Sequence, residues 1–237
     1  KLHTVRYLVL DEADEMLDMG FREDIEAILK KMPAERQTVL FSATMPKPIL
    51  DIARRFQKEP VHIKVTTENL TATSIEQIYF EVSSASRAKI VSTLMDVHNL
   101  KLTLLFCNTK RRVDEVVATM RTMGHKADAI HGDLSQNQRN SVLSAFKSGR
   151  INILVASDVA ARGIDVSNVD AVFNYDIPMD AEYYVHRIGR TGRAGKTGKA
   201  FSFVTGRNDM YKLRDIERYS KARIVKGNVP TEKEVLE

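Results

Sequence analysis

Short β-branched runs alternate along the chain with longer stretches in which apolar residues recur every three or four positions. The short runs predict β-strands, and the longer stretches predict amphipathic helices. In the first part of the chain we expect strands at 5–10, 38–41 and 61–65 and helices at 21–31 and 46–56. A polar, threonine-rich segment follows at 66–74 and predicts a linker, because it shows neither period.

The alternation then resumes over a longer part of the chain. The predicted strands are 78–82, 102–107, 127–130, 153–156, 171–175 and 200–204, and the predicted helices are 85–98, 110–123, 135–147, 181–187 and 208–220. Strands that alternate with helices predict an α/β fold, in which a parallel sheet carries helices on both faces. Ligands of such folds bind at the carboxyl ends of the strands, so the residues that follow each strand are the candidate site.

Composition narrows the class of protein. The 237 residues are 43% hydrophobic and 28% charged, which is typical of a globular protein and excludes a disordered or collagen-like chain. No apolar run approaches the roughly 18 residues of a membrane span. The single cysteine, Cys107, cannot form an internal disulfide. We therefore expect a cytoplasmic protein without a membrane partner.

The formal net charge of +5 is unevenly distributed. Residues 1–75 hold 11 basic and 12 acidic side chains, and residues 76–237 hold the remaining 25 and 19, so the two parts carry −1 and +6. The basic second part is compatible with a surface that binds a polyanion, and equally with a solvated basic face.

The first predicted strand runs directly into the acidic sequence Asp11-Glu12-Ala13-Asp14. A carboxylate at the end of a strand can hold Mg²⁺ on nucleotide phosphates, and the neighbouring Glu12 can accept a proton from water. Acids also stabilise a helix N-terminus, and the two roles are compatible. The chain contains no GxxxxGK[ST] phosphate-binding loop. Gly195-Lys196-Thr197 ends like one, but Arg190 stands where the first glycine is required.

Two further motifs follow predicted elements. Ser42-Ala43-Thr44 comes after the strand at 38–41, where its hydroxyls can bond a carboxylate or cap the helix predicted from residue 46. Capping is favoured when the motif is considered alone. Three arginines, Arg187, Arg190 and Arg193, stand three residues apart with glycines between them. Guanidinium groups bind phosphate oxygens in pairs and glycines permit close backbone approach, so we expect this series to contact phosphate.

In these motifs and their order the chain resembles the DEAD-box ATP-dependent RNA helicases of superfamily two, over nearly its whole length. The acidic sequence is similar to motif II, and Ser42-Ala43-Thr44 is similar to motif III. Residues 104–110, 156–165 and 186–193 are similar to motifs IV, V and VI, and Gln136 and Arg139 fit the QxxR element. Ser157 stands where the family usually has threonine, which retains a hydroxyl.

The resemblance implies RecA-like domains. Residues 1–65 correspond to the later part of the ATP-binding domain, 66–75 to a linker, 76–220 to a complete second domain and 221–237 to a C-terminal extension. The Q motif and the P-loop are not in the chain. We therefore expect a carboxyl-terminal portion of a helicase, and we expect this chain alone to be inactive as an ATPase.

The resemblance also implies the cofactors ATP and Mg²⁺ and a role for individual residues around them. Asp11 would hold Mg²⁺, and Glu12 would orient or deprotonate the hydrolytic water. Asp14 would couple to Ser42, Thr44 and His186. Arg190 and Arg193 would act as arginine fingers on the γ-phosphate, and Gly163 and Asp165 would contact the ribose.

RNA is the partner that the resemblance implies. Gln136, Arg139, Ser157 and Asp158 would contact its backbone, and phosphate contacts carry no information on base sequence. The implied activity is an ATP-dependent local unwinding or remodelling of RNA duplexes. The alternatives are an RNA clamp that does not unwind and an RNA-binding module without enzymatic activity.

Overall fold

The computed structural model describes residues 2–18, 20–42, 45–64, 74–161, 166, 168–192 and 195–230. The chain forms two compact units, Lys1–Thr66 and Thr67–Glu237. Among the described helices, none combines the length and the apolar character of a membrane span. The predicted linker, apart from its last residues, lies outside the described residues, and the domain boundaries stay a prediction.

The first unit contains two parallel strands and three helices among its described residues. After a 3₁₀ turn at Leu2–Thr4, its elements are β1 Tyr7–Leu10, α1 Ala13–Asp18, α2 Arg22–Lys30, β2 Gln37–Leu40 and α3 Lys47–Phe56. β1 and β2 pair in parallel along their whole length. Leu8 and Leu10 pack with α2 and α3, whereas Tyr7 and Val9 on the other face are 77% and 58% exposed.

The strand predicted at 61–65 is wrong for residues 61–64, which form no strand, and Val65 lies outside the described residues. Val61 and Ile63 are 85% and 80% exposed. Alternating β-branched residues favour an extended backbone, but a strand also needs a neighbour for its backbone hydrogen bonds. The described part of the first unit provides no such neighbour for this segment.

The second unit is a seven-stranded sheet in which every strand pairing is parallel. Its elements are β3 Ile75–Glu81, α4 Arg87–Val97, β4 Thr103–Cys107, α5 Lys110–Thr122, β5 Ala127–Ile130, α6 Gln136–Lys147, β6 Ile153–Ser157, α7 Asp158–Ala161, β7 Ala171–Asn174, α8 Ala181–Ile188, β8 Gly198–Val204, α9 Arg207–Ser220 and β9 Val225–Lys226. The strand order is β5-β6-β4-β7-β8-β3-β9.

Helices cover both faces of this sheet, as the sequence pattern predicts. Leu105 and Cys107 of the inner strand β4 point to the side packed by α4 and α5. Leu104 and Phe106 point to the opposite side, where Phe146 of α6 packs. α8 and α9 cover β8, which lies beyond β7 in the sheet, through Ala200 and Val204. The predicted α/β class is therefore confirmed.

Two short elements carry no periodic signal in the sequence. α7 follows β6 directly, and β9 adds an edge strand after the expected end of the domain at residue 220. The amide of Gly227 donates to the carbonyl of Tyr79 at 2.8 Å. A Cβ at Gly227 would lie 2.6 Å from both the Ile78 and the Phe80 side chains, so only glycine permits this close approach.

Candidate functional site

In the first unit, the acidic sequence forms the turn between β1 and α1. Glu12 has a left-handed backbone (φ 51°), and the Asp11 carboxylate accepts a hydrogen bond from its amide at 3.0 Å. The carbonyl of Glu12 accepts from Met16 at 3.1 Å and so begins α1. The side chains of Asp11 and Glu12 are exposed, whereas Asp14 is buried. Two accessible carboxylates thus stand at the carboxyl end of a strand.

Ser42 connects the end of β2 to this turn. Its Oγ accepts a hydrogen bond from the amide of Asp14 at 3.2 Å, and the amide of Ala13 donates to the carbonyl of Phe41 at 3.1 Å. The hydroxyl therefore caps α1 rather than the helix predicted from residue 46, since α3 follows Pro46 without a side-chain cap. Thr44 lies outside the described residues.

In the second unit, Arg187 is the centre of a buried polar cluster. Its side chain is 1% exposed, and it pairs with both oxygens of Asp158 at 2.6 and 2.7 Å. Further acceptors are Asn108 Oδ1 at 2.9 Å, Asn174 Oδ1 at 3.3 Å and the carbonyl of Asp176 at 2.7 Å. These five acceptors engage all the donor nitrogens of the guanidinium, which argues against the expected contact of Arg187 with phosphate.

The geometry of α8 explains why Arg187 is buried. The helix buries Tyr184, Arg187 and Ile188 on one face, at spacings of three and four residues. Arg190 follows the end of the helix and is half-buried. Arg187 and Arg190 therefore lie in different environments, although the arginines are equally spaced in the sequence.

The cluster joins the carboxyl ends of three neighbouring strands. Asn108 follows β4, Asp158 follows β6, and Asn174 and Asp176 lie at the end of β7. The sequence motifs alone do not single out Asn174 or Asp176. Asn174 could have been found from its position in a strand that is otherwise apolar and fully buried. A buried amide needs hydrogen-bond partners, so such a residue indicates a buried polar cluster.

The candidate RNA residues lie around the same edge of the sheet. α6 begins with a capping box, in which the Ser135 side chain accepts from the amide of Gln138 and the Gln138 side chain accepts from the amide of Ser135. This start places Gln136 on the exposed first turn, where its amide donates to Asn140 at 3.0 Å. One turn later, the guanidinium of Arg139 donates to the carbonyl of Ala160 in α7.

β6 and α7 carry the other two candidates. Ser157 ends β6 opposite Cys107 of β4. The next residue, Asp158, uses both of its carboxylate oxygens to bind Arg187. This geometry argues against the expected contact of Asp158 with RNA, because an anionic side chain held by a buried arginine has little left to offer a phosphate. Its observed contact positions Arg187 instead.

The turn that carries Arg190 is anchored on both sides. Buried Thr191 donates from Oγ1 to the carbonyl of Val169 at 2.5 Å, and the carbonyl of Gly192 accepts from Ser74 Oγ at 2.9 Å. His186, in the last turn of α8, is half-buried like Arg190. Three further nucleotide-side candidates, Gly163, Asp165 and Arg193, lie outside the described residues.

Three other titratable groups near this edge have ordinary structural explanations. Cys107 is fully buried, and burial strongly raises the pKa of its thiol, so it is a core residue and not a nucleophile. Lys110 and Asp133 form an exposed ion pair at 2.8 Å. Their hydrogen bond lowers the pKa of Asp133 and raises that of Lys110.

The chain matches two families of known proteins. The family "Helicase conserved C-terminal domain" matches residues 85–195, and the family "DEAD/DEAH box helicase" matches residues 1–52. The DEAD-box protein SrmB of E. coli, solved in complex with regulator of ribonuclease activity A, is 34% identical with a TM-score of 0.62. The alignment covers 68% of this chain and 93% of that chain. The chain belongs to the DEAD-box helicase family.

Longer DEAD-box relatives match almost the whole chain. The DEAD-box ATP-dependent RNA helicase CshA of Geobacillus kaustophilus is 54% identical over 237 residues, which is 100% of this chain and 50% of the relative. The chain thus spans about half the length of the curated relatives it matches. S. cerevisiae Dbp5, solved with RNA and ADP BeF3, is 30% identical with a TM-score of 0.88, and the alignment covers 99% of this chain and 62% of that chain.

These matches confirm the RecA-like class of the parallel sheet in this DEAD-box chain. They also place the buried cluster within the matched helicase domain, because Asn108, Asp158 and Arg187 all lie between residues 85 and 195. The roles of the individual site residues stay predictions.

Proposed function

We propose that this chain is part of an ATP-dependent RNA helicase, in which nucleotide binding and hydrolysis drive local unwinding or remodelling of RNA. The observation that carries the proposal is the Arg187 cluster. It fixes the ends of β4, β6 and β7 relative to one another, at the edge where parallel sheets bind their ligands. Among the predicted site residues that the structure describes, Ser157 directly precedes Asp158 of the cluster, Arg139 donates to the carbonyl of Ala160 in α7, and Arg190 follows Arg187 by three residues.

Two of the relatives support ATP and RNA as the ligands of this chain. CshA of Geobacillus kaustophilus is an ATP-dependent RNA helicase, and S. cerevisiae Dbp5 was solved bound to RNA and ADP BeF3. Transferred to this chain, these ligands are ATP for the acidic turn and for the Arg190 turn, and RNA for the exposed start of α6 and the end of β6. A cytoplasmic location also stays a prediction, which rests on the single cysteine.

The residues of the acidic turn fit a hydrated Mg²⁺ on a nucleotide. Mg²⁺ prefers oxygen ligands and retains several of its waters, and Asp11 offers an exposed carboxylate at the end of β1. The ion would neutralise phosphate charge when bound. Glu12, also exposed, would orient the attacking water or accept its proton. Arg190 and Arg193 would stabilise negative charge on the γ-phosphate, and Gly163 and Asp165 would contact the ribose.

RNA would be bound through its backbone by Gln136, Arg139 and Ser157. The amide, guanidinium and hydroxyl groups of these residues are hydrogen-bond donors, which suit phosphate oxygens and read no base edges. For the chain by itself, the absence of a GxxxxGK[ST] sequence favours an RNA-binding activity without ATP hydrolysis.

A salt titration of RNA binding tests the proposal. The chain is mixed with fluorescein-labelled single-stranded RNAs of two unrelated sequences, and anisotropy is recorded over a range of salt concentrations. We expect a Kd in the range of about 10⁻⁴–10⁻⁶ M with no preference between the sequences. Loss of one phosphate contact should flatten the salt slope by about 0.7. Gln136→Ala and Arg139→Ala should weaken the binding of both RNAs alike.

Two control variants separate a specific contact from an effect of charge. Lys147→Ala removes a positive charge at the opposite end of the same helix, and we expect it to change binding less than Arg139→Ala. Arg190→Ala should leave RNA binding unchanged, because this residue is assigned to the nucleotide. No binding by the wild-type chain, or an equal loss with Arg190→Ala and Arg139→Ala, would contradict the proposal.

A further inference from the structure

Arg87 is a second buried arginine at the edge of the Arg187 cluster, outside all the motifs that the sequence shows. It lies in the first turn of α4 and is 4% exposed. Its Nη1 donates to the carbonyl of Tyr175 at 2.6 Å and to Oδ1 of Asp176 at 2.7 Å. Its guanidinium also lies over the ring of Tyr175, 4.4 Å from the centroid. Three contacts thus fix it against the segment after β7.

Asp176 connects this arginine to the cluster. Its second carboxylate oxygen accepts from the amide of Asn108 at 3.1 Å, and its carbonyl accepts from Arg187 at 2.7 Å. Asn108 also binds Arg187 directly, through its side-chain oxygen. A continuous line of charge-assisted hydrogen bonds therefore runs from Arg87 through Asp176 to Arg187, and from there to Asp158 at the start of α7.

A gain in folding stability does not by itself explain why Arg87 and Asp176 form a buried ion pair. Removing two charges from water is costly, and well-packed apolar residues often serve a protein core at least as well as a buried ion pair. The Nε of Arg87 is buried without a hydrogen-bond partner in the described part of the chain, which adds a further cost. What the arginine provides is geometry, because its planar donor group fixes both the main chain and the side chain of the segment 175–176.

We propose that Arg87 is a positioning residue for the RNA-binding surface of the second unit. It holds Asp176 so that Asn108 and Arg187 keep their places, and Arg187 in turn fixes Asp158 next to Ser157. α7, which begins at Asp158, supplies the carbonyl that binds Arg139. This inference rests on the proposed function, because it assumes that the second unit binds RNA. Arg87 would affect RNA affinity without contacting the RNA itself.

The test compares two buried substitutions on the same helix. Arg87→Met keeps an unbranched apolar stem of similar thickness but removes the guanidinium, which leaves the carboxylate of Asp176 without its ion pair. Leu94→Ala removes buried apolar groups of α4 that belong to the core. Both should lower the unfolding temperature. Measured well below that temperature, Arg87→Met should weaken RNA binding about tenfold, the loss expected for one charge-assisted hydrogen bond. Leu94→Ala should bind RNA like the wild type.

A double variant distinguishes positioning from packing. Asp176→Asn added to Arg87→Met removes the unpaired carboxylate and should regain stability but not RNA affinity, because the segment 175–176 still lacks the donor that fixes it. Arg87→Lys, which keeps a charged donor, should bind RNA with an affinity between those of the wild type and Arg87→Met. If the wild-type chain binds RNA and Arg87→Met binds it equally well, the inference is overturned. It is also overturned if Leu94→Ala loses as much affinity as Arg87→Met. If the wild type does not bind RNA, the proposed function itself fails.

Discussion

Removal of the charge that faces Arg187 is the sharpest test of the buried cluster. Asp158→Asn keeps the shape of the side chain but replaces one carboxylate oxygen with a donor that cannot accept from the guanidinium. The substitution breaks the bidentate pair with bonds of 2.6 and 2.7 Å. Arg187 retains its acceptors on Asn108, Asn174 and the carbonyl of Asp176. The expected result is a folded but strongly destabilised second unit.

The magnitude follows from burial. Removing one partner of a buried ion pair costs about 3–5 kcal/mol, because the other charge stays buried without compensation. The side chain of Arg187 is 1% exposed, that of Asp158 is 19% exposed, and three acceptors remain. We therefore expect a loss near the lower limit, about 3 kcal/mol. For a domain of this size, that loss lowers the unfolding temperature by roughly 6–12 °C.

Urea and thermal unfolding, followed by circular dichroism, measure this loss. Hydrogen exchange of peptides from β4 and β7 assigns the transition to the second unit. The control is Asp133→Asn, which breaks the pair between Lys110 and Asp133 at 2.8 Å, where the two side chains are 63% and 60% exposed. Exposed pairs contribute little, so the control should not change stability measurably. If Asp158→Asn costs less than about 1 kcal/mol, or no more than the control, the cluster does not depend on its charge.

Two further predictions concern the nucleotide side and the Arg190 turn. The chain with saturating RNA should release phosphate from ATP no faster than buffer, because its sequence lacks the phosphate-binding loop; turnover that disappears with Glu12→Gln would refute this. Gly192→Ala should destabilise the second unit more than Gly195→Ala, in urea unfolding of both variants. Both glycines have positive φ. Among the residues that the structure describes, a Cβ at Gly192 would lie 2.6 Å from the Ile75 side chain, whereas a Cβ at Gly195 would meet no atom within 4 Å, so equal losses would contradict the steric argument.

Most elements of the fold can be predicted from the sequence, because burial on both faces of a parallel sheet leaves a strong apolar signal. The strand β5 Ala127–Ile130 has the predicted bounds, and the predicted helices at 110–123 and 135–147 differ from α5 and α6 by one residue. The strand prediction for residues 61–64 is wrong because a β-branched pattern forms a strand only beside a neighbouring strand. β9 is missed because two residues carry no period.

Only part of the candidate site can be predicted from the sequence. The acidic turn and the start of α6 follow from local motifs and capping residues. The environment of Arg187 cannot be predicted from local motifs, because its burial depends on which face of α8 packs on the sheet. Arg87 carries no local signal at all, since only the folded structure brings α4 next to Asp176.

The buried cluster and the net charge of the second part of the chain serve different purposes. Arg87 and Arg187 are balanced by Asp176 and Asp158, so this group of four charges is neutral as a whole. It can therefore fix the geometry of the strand ends without contributing to long-range attraction of a polyanion. That attraction has to come from exposed cations elsewhere on the second unit, and it is sensitive to salt, whereas the buried pairs are screened far less. Because Arg87 acts on RNA through the residues that it positions, Arg87→Met should lower RNA affinity at every salt concentration and flatten the salt slope by no more than the loss of one phosphate contact, about 0.7.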